Sequence, residues 1–152
     1  MPIIKTTIKE SSMFTSATSR AAHAYKRVGI ESSVEMADPH QLVNLLFEAL
    51  LRKVGSAKLF MQAGNVPAKC DAISKAIQII EEGLKAPLDL ERGGTIAANL
   101  DALYEYCVVR LVHANAQNDA AALDQVINLI EPVANGWKQI GDKGPAYLRP
   151  VQ

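Results

Sequence analysis

The hydrophobic and polar positions from residue 38 onwards predict a helix with more apolar surface than one core contact needs. Asp38 can cap this helix, Pro39 suits its first turn, and Gln41 can complete a capping box. At about 100° per residue, the polar positions form one narrow stripe, namely Gln41, Asn44, Glu48 and Arg52. Nearly all other positions are apolar, so something must cover the flanks of the helix.

Three further segments repeat apolar residues at the helical spacing i, i+3, i+4, i+7. The second helix is expected from near Pro67 to Pro87, and the third begins after Gly93 and Gly94. No alternating pattern of the kind that marks a β-hairpin is present. Because short connections favour antiparallel neighbours, the sequence predicts an all-α fold, an antiparallel up-down-up-down four-helix bundle with a short N-terminal helical arm.

The fourth helix carries its apolar row from Leu123 to Trp137 and contains Pro132. A proline inside a helix removes one hydrogen bond and clashes with the preceding turn, so a kink is expected there.

Composition divides the chain into three parts. Residues 1–20 are rich in Ser, Thr and Lys and predict a mobile N-terminal arm. Residues 21–140 form the helical bundle domain, and residues 141–152 form a flexible C-terminal tail. At 152 residues, the chain is long enough for one domain with a substantial core.

Charge and cysteine usage exclude several classes of partner. The 16 basic and 16 acidic residues balance, so no strongly basic field exists for nucleic acid. No run approaches the roughly 20 apolar residues of a membrane span, and the N-terminus lacks the apolar core of a signal peptide. The cysteines Cys70 and Cys107 lie in apolar helical patterns, which favours buried thiols. A cytoplasmic protein that does not insert into membranes is therefore expected.

No catalytic or metal-binding motif emerges from the residue spacing. Four-helix bundles often hold di-iron sites built from Glu-x-x-His pairs, but no Glu here has a His three residues later. The histidines His23, His40 and His113 lie in different segments, and Cys107 falls in a core row. We therefore expect no cofactor, no metal and no enzymatic activity.

The surplus apolar surface of the first helix has two interpretations. Leu42, Leu46 and Leu50 form the natural core row, while Leu45 lies on one flank and Phe47 and Leu51 lie on the other. Ile79 lies off the main row of the second helix in the same way. Either these flanks pack against neighbouring helices, or they form a hydrophobic groove for a partner helix or extended peptide. Asn99 is likewise either a polar contact to a bound chain or an internal cap or interhelix hydrogen bond.

A set of ordered motifs resembles the flagellar export chaperones of the FliS family over roughly residues 24–138. The motifs are Ala24-Tyr25, the segment from Ala37 to Val43, the Leu-rich stretch from Leu46 to Arg52, the segment from Leu88 to Leu100 followed by Leu103-Tyr104, Ala114-Asn115, and the late Trp137. No single motif is specific by itself, and the resemblance rests on their order.

The resemblance implies a non-enzymatic cytoplasmic export chaperone. Its client would be the C-terminal segment of flagellin, which it would keep from premature polymerisation and help deliver to the flagellar type III export apparatus. Components of that apparatus are further candidate partners. Helical angles and family likeness together place the partner-binding groove at Tyr25, Val28, Leu45, Phe47, Leu51, Ile79 and Asn99. The arm could lie over this groove.

Two other functions stay open at this point. The chain could be a structural helical oligomer or adaptor, with the surplus surface as a homodimer interface. An all-α enzyme or metal carrier would require clustered acids, histidines or arginines inside the bundle, which the spacing does not supply.

Overall fold

The computed structural model describes residues 38–141, which form a bundle of four α-helices with no strand in that range. The helices are α1 (Pro39–Gln62), α2 (Val66–Gln78), α3 (Leu90–Gln117) and α4 (Ala120–Ile140). A π-helical segment, Ile79–Lys85, continues directly from α2. The all-α prediction is confirmed, whereas the predicted arm, its short helix and the tail beyond Gly141 lie outside the described residues.

Short polar side chains fix where the helices begin. Asp38 Oδ1 accepts a hydrogen bond of 2.7 Å from the amide of Gln41, and Asn65 caps α2 through the amide of Ala68. Asp89 and Asp119 cap α3 and α4 in the same way. Each cap satisfies an amide that has no partner within its helix, so the helix begins at the residue after the cap.

Contacts between distant residues establish the antiparallel arrangement. At the start of α1, His40 contacts Trp137 near the end of α4. Farther along α1, Lys58 pairs with Asp124 near the start of α4. Lys69, near the start of α2, likewise donates to the carbonyl oxygen of Asn115 near the end of α3. With short connections between successive helices, the bundle has the predicted up-down-up-down order.

Neighbouring helices cover much of the surplus apolar surface of α1, because this helix lies between them. This helix packs against α2 on one side and α4 on another. The predicted core residues Leu42, Leu46 and Leu50 are at most 2% exposed, and the flanking Phe47 is also only 2% exposed. Wide core contact therefore accounts for most of the apolar surface that the sequence left unexplained.

The beginning of α3 differs from the predicted one. The helix begins at Leu90, before the glycine pair, and its backbone leaves helical geometry at Gly94, where φ is 54° and ψ is −133°. Ile96, whose spacing matches the apolar row of α3, is 45% exposed just beyond this break. The interruption separates a short N-terminal turn, which begins at Leu90, from the longer remainder of the helix.

The other two expectations concern Pro132 and the cysteines. Helix α4 is continuous on both sides of Pro132, whose side chain is exposed.

Cys107 is buried, as expected, but Cys70 is only partly buried. Burial raises the pKa of Cys107 to about 11, so this thiol stays protonated and unreactive at neutral pH.

Candidate functional site

An apolar pocket of about 200 Å³ lies at the end of the bundle where α1 and α3 begin and α4 ends. We call it the end pocket. Helices α1, α3 and α4, the π-helical segment and the following loop contribute to its lining, which comprises Val43, Phe47, Gly83, Leu84, Pro87, Leu88, Ile96, Leu100, Tyr104, Val133, Gly136, Trp137 and Ile140. Its lining contains no charged side chain, so it suits an apolar guest.

The wall formed by α4 is held to α1 by the pair His40 and Trp137. The Nε2 atom of His40 donates to the carbonyl oxygen of Trp137 at 2.8 Å, and Trp137 Nε1 donates to the carbonyl oxygen of His40 at 3.0 Å. The two rings stack with centroids 4.9 Å apart. The indole is thereby held in one orientation at the pocket.

The opposite wall is bridged by an ion-pair group at the surface. Lys85 Nζ lies 3.2 Å from Glu105 and 3.6 Å from Asp101 on α3. The hydrogen bond to Glu105, and then the charge of Asp101, raise the pKa of Lys85. These side chains are partly exposed, so the pairs contribute little to the free energy of unfolding.

The hydroxyl of Tyr104 is the unusual polar group in this lining. The residue is only 3% exposed, and no residue within 38–141 forms a hydrogen bond with the hydroxyl. Removal from water, with a smaller effect of Cys107, raises the pKa of Tyr104. The hydroxyl is therefore a protonated donor with no partner in the described part of the chain.

A second apolar surface lies on the outer side of α3. Tyr106, Val109 and Val112 are 44%, 56% and 54% exposed, and their spacing by three residues places them on one side of the helix. We call these residues the outer α3 stripe. The hydroxyl of Tyr106 accepts a hydrogen bond of 2.9 Å from Gln125 Nε2, unlike that of Tyr104.

Comparison with known proteins decides the family. A family model described as flagellar protein FliS matches residues 21–144. This chain belongs to the FliS family. It is 48% identical over 126 residues to the flagellar secretion chaperone FliS of Salmonella typhimurium, a match that covers 83% of this chain and 93% of that relative.

Two other relatives show how far the similarity extends. The flagellar secretion chaperone FliSB of Pseudomonas aeruginosa is 45% identical over 121 residues, covering 80% of this chain and 95% of that protein. FliS of Bacillus subtilis is 29% identical over 109 residues, covering 72% and 80% respectively. The chain is thus a flagellar chaperone of the FliS family with a helical-bundle fold.

The groove residues predicted from sequence do not converge on one surface of this FliS bundle. Phe47 lines the end pocket, whereas Leu45 and Leu51 are partly buried residues outside its lining. Ile79 is completely buried in the core, and Asn99 is exposed on α3. Tyr25 and Val28 lie outside the described residues, and the binding role of all seven stays a prediction.

Sequence reasoning missed most of the end pocket. Leu84, Leu88 and Tyr104 come from segments that are distant from Phe47 along the chain. Neither helical spacing nor the family motif that contains Leu88 and Tyr104 places them around one space. The late Trp137 was the one available signal, because an isolated large aromatic residue near the end of a bundle often closes it. No helical angle could show that these side chains surround a common space.

Neither a metal-binding cluster nor a membrane-spanning helix is present among the described residues. Within 38–141 no group of three or more His, Cys, Asp or Glu side chains could hold a metal ion. No helix in that range is long and apolar enough to cross a membrane.

Proposed function

We propose that the chain is a cytoplasmic export chaperone that binds the C-terminal segment of flagellin. By holding this segment, the chaperone prevents premature polymerisation and assists delivery to the flagellar type III export apparatus. Membership of the FliS family supports this proposal, as do relatives named flagellar secretion chaperones. The holding step needs no cofactor, because it involves only burial of apolar surface.

The observation that carries the proposal is the end pocket with its exposed rim. Ile96 on this rim is 45% exposed beside an uncharged lining. Burying apolar surface contributes about 25 cal/mol per Å², so an apolar client side chain gains by entering the pocket. A segment that folds on binding typically buries about 1,000–3,000 Å², which exceeds one pocket. A client of this kind therefore also contacts surface of the bundle outside the pocket.

Calorimetric titration with a flagellin C-terminal segment tests this function. Ile96→Asp places a charge on the pocket rim and should weaken binding by at least about tenfold, because a buried charge without a partner is costly. Val66→Asp is the matched control, since Val66 is 53% exposed at the opposite end of the bundle. No heat of binding with the unchanged protein would reject the proposed function, and equal affinity of both variants would reject the end pocket as its site.

The exposure of the outer α3 stripe favours one alternative, a structural oligomer or adaptor that uses this stripe as a self-interface. Light scattering with and without the flagellin segment separates the two functions. A dimer that dissociates when the segment is added supports one surface shared by client and second copy. A dimer that is indifferent to the segment supports the structural function.

In this proposal, residues 1–20 cover the client site when no client is bound. A chain without these residues should bind the flagellin segment more tightly or form more dimer, because a competing intramolecular contact has been removed. Titration and light scattering of the shortened chain measure both effects. If affinity and oligomeric state are unchanged, the arm is not a lid.

A further inference from the structure

The hydroxyl of Tyr104 lacks a partner at the place where the bundle offers space. Tyr104 is 3% exposed and lines the end pocket, and no described residue hydrogen-bonds with its hydroxyl. Trp137, the other lining residue with a polar side-chain atom, already donates to the carbonyl of His40. A phenol buried without a hydrogen bond is unfavourable, because it loses the bonds that water made.

We propose that Tyr104 recognises the client by donating a hydrogen bond from its hydroxyl to an oxygen atom of the segment that fills the end pocket. This inference rests on the proposed function, because the occupant is the flagellin segment. It assigns the pocket two requirements at once, an apolar side chain for its walls and an oxygen acceptor for Tyr104.

The size of the pocket limits the apolar part of the occupant. The volume of about 200 Å³ is larger than the engineered cavity of about 150 Å³ that binds benzene. One bulky aliphatic or aromatic side chain therefore fills most of the space. A whole helix cannot enter, since its diameter with side chains is about 10 Å or more.

The need for a free oxygen acceptor restricts the backbone conformation of the occupant. Inside a helix the carbonyl oxygens already accept bonds from amides four residues later, and only the last four are free. The oxygen that reaches Tyr104 therefore belongs to an extended stretch or to the last turn of a client helix. The proposed acceptor is the main-chain carbonyl oxygen of a client residue next to the one whose side chain fills the pocket.

Tyr104→Phe tests the inference with little disturbance of packing. The variant removes one oxygen atom from a residue that keeps its ring, and Tyr106→Phe is the matched control on the same helix. The hydroxyl of Tyr106 is exposed and already paired with Gln125. Both variants are titrated with the flagellin segment, and their melting temperatures are measured without it.

The expected result has two parts. Tyr104→Phe should bind the segment about 3- to 10-fold more weakly, the range of a single neutral hydrogen bond. Its melting temperature in the free state should be equal to or higher than that of the unchanged protein, because an unpaired buried hydroxyl has been removed. Tyr106→Phe should bind within about twofold of the unchanged affinity.

Three outcomes would overturn the inference. Unchanged affinity of Tyr104→Phe, while the unchanged protein binds normally, removes Tyr104 from recognition but leaves the proposed function intact. A lower melting temperature of the free variant means that the hydroxyl is paired within the chain itself. If deletion of residues 1–20 abolishes this decrease in melting temperature, the arm occupies the pocket in place of the client. Absence of binding by the unchanged protein removes the proposed function and this inference together.

Discussion

His40 and Trp137 form a reciprocal pair in which each side chain donates to the main-chain carbonyl of the other. The residues are 97 positions apart, yet the two bonds are 2.8 Å and 3.0 Å long and the rings stack at an angle of 17°. The pair joins the first turn of α1 to the last turns of α4. It therefore closes the bundle at the end that contains the pocket.

Replacing His40 tests the contribution of this pair to stability. His40→Phe keeps an aromatic ring against Trp137 but leaves the Trp137 carbonyl without its donor, so the free energy of unfolding should fall by about 1–3 kcal/mol. Urea denaturation measures the change. His113→Phe is the control, since the side chain of His113 is 42% exposed and its loss should cost less. Equal losses for both variants would mean that the pair contributes nothing specific.

The burial of Phe47 changes what a charge at this position should do. If Phe47 lay on an exposed flank of a groove, Phe47→Asp would lose client binding and still melt cooperatively. Because Phe47 is 2% exposed, the aspartate would be buried without a partner, and the variant should lose several kcal/mol of the roughly 5–15 kcal/mol available to a domain. Thermal melting followed by circular dichroism should show a weakened or absent transition. Phe60→Asp, at a position that is 36% exposed on the same helix, should melt nearly as the unchanged protein does; the reverse order would contradict the burial argument.

The backbone at Gly94 predicts opposite effects for two glycine substitutions. Gly94→Ala should destabilise the protein by about 1–3 kcal/mol, because its positive φ with ψ of −133° is a conformation that side chains disfavour. Gly55→Ala should stabilise it by about 0.5–1 kcal/mol, since Gly55 lies inside α1 and an added Cβ would meet no atom within 4 Å. Chemical denaturation of both variants measures these changes. The same sign for both substitutions would contradict the geometry at Gly94.

We expect the ionised Asp119 to make the unchanged protein more stable than an Asp119→Asn variant, and this difference should disappear in acid. A hydrogen bond with His113 lowers the pKa of Asp119 below its ordinary value of 3.8, and the amide of Ala122 adds to this effect. Since the folded-state pKa is depressed, the stabilisation is fully present above pH 3.8 and is lost as the pH falls through the folded-state pKa. Asp119→Asn keeps the helix cap but has no charge to titrate. Urea denaturation should therefore show an advantage of the unchanged protein at neutral pH that shrinks below pH 3.8, whereas a constant difference would rule out titration of Asp119 as its source.

Most of the fold was predictable, because helix caps and helical periodicity depend on residues that are close together along the chain. Asp38, Asn65, Asp89 and Asp119 cap helices within three residues of their own positions, and the apolar row of α1 follows from helical periodicity. Ile96 shows the limit of this reasoning. Its spacing matches the core row of α3, but the backbone break at Gly94 and the pocket beside it leave it 45% exposed.

By itself, the sequence determined the four helices, their order and the family resemblance, because each depends on neighbouring residues or on ordered motifs. Only the tertiary structure decided which apolar flanks are covered. Phe47 and Ile79 are buried because α1 and the π-helical segment each pack against several neighbours. The end pocket and the unpaired hydroxyl of Tyr104 were likewise decided there, since a shared space and a missing partner depend on distances between side chains that are far apart along the chain.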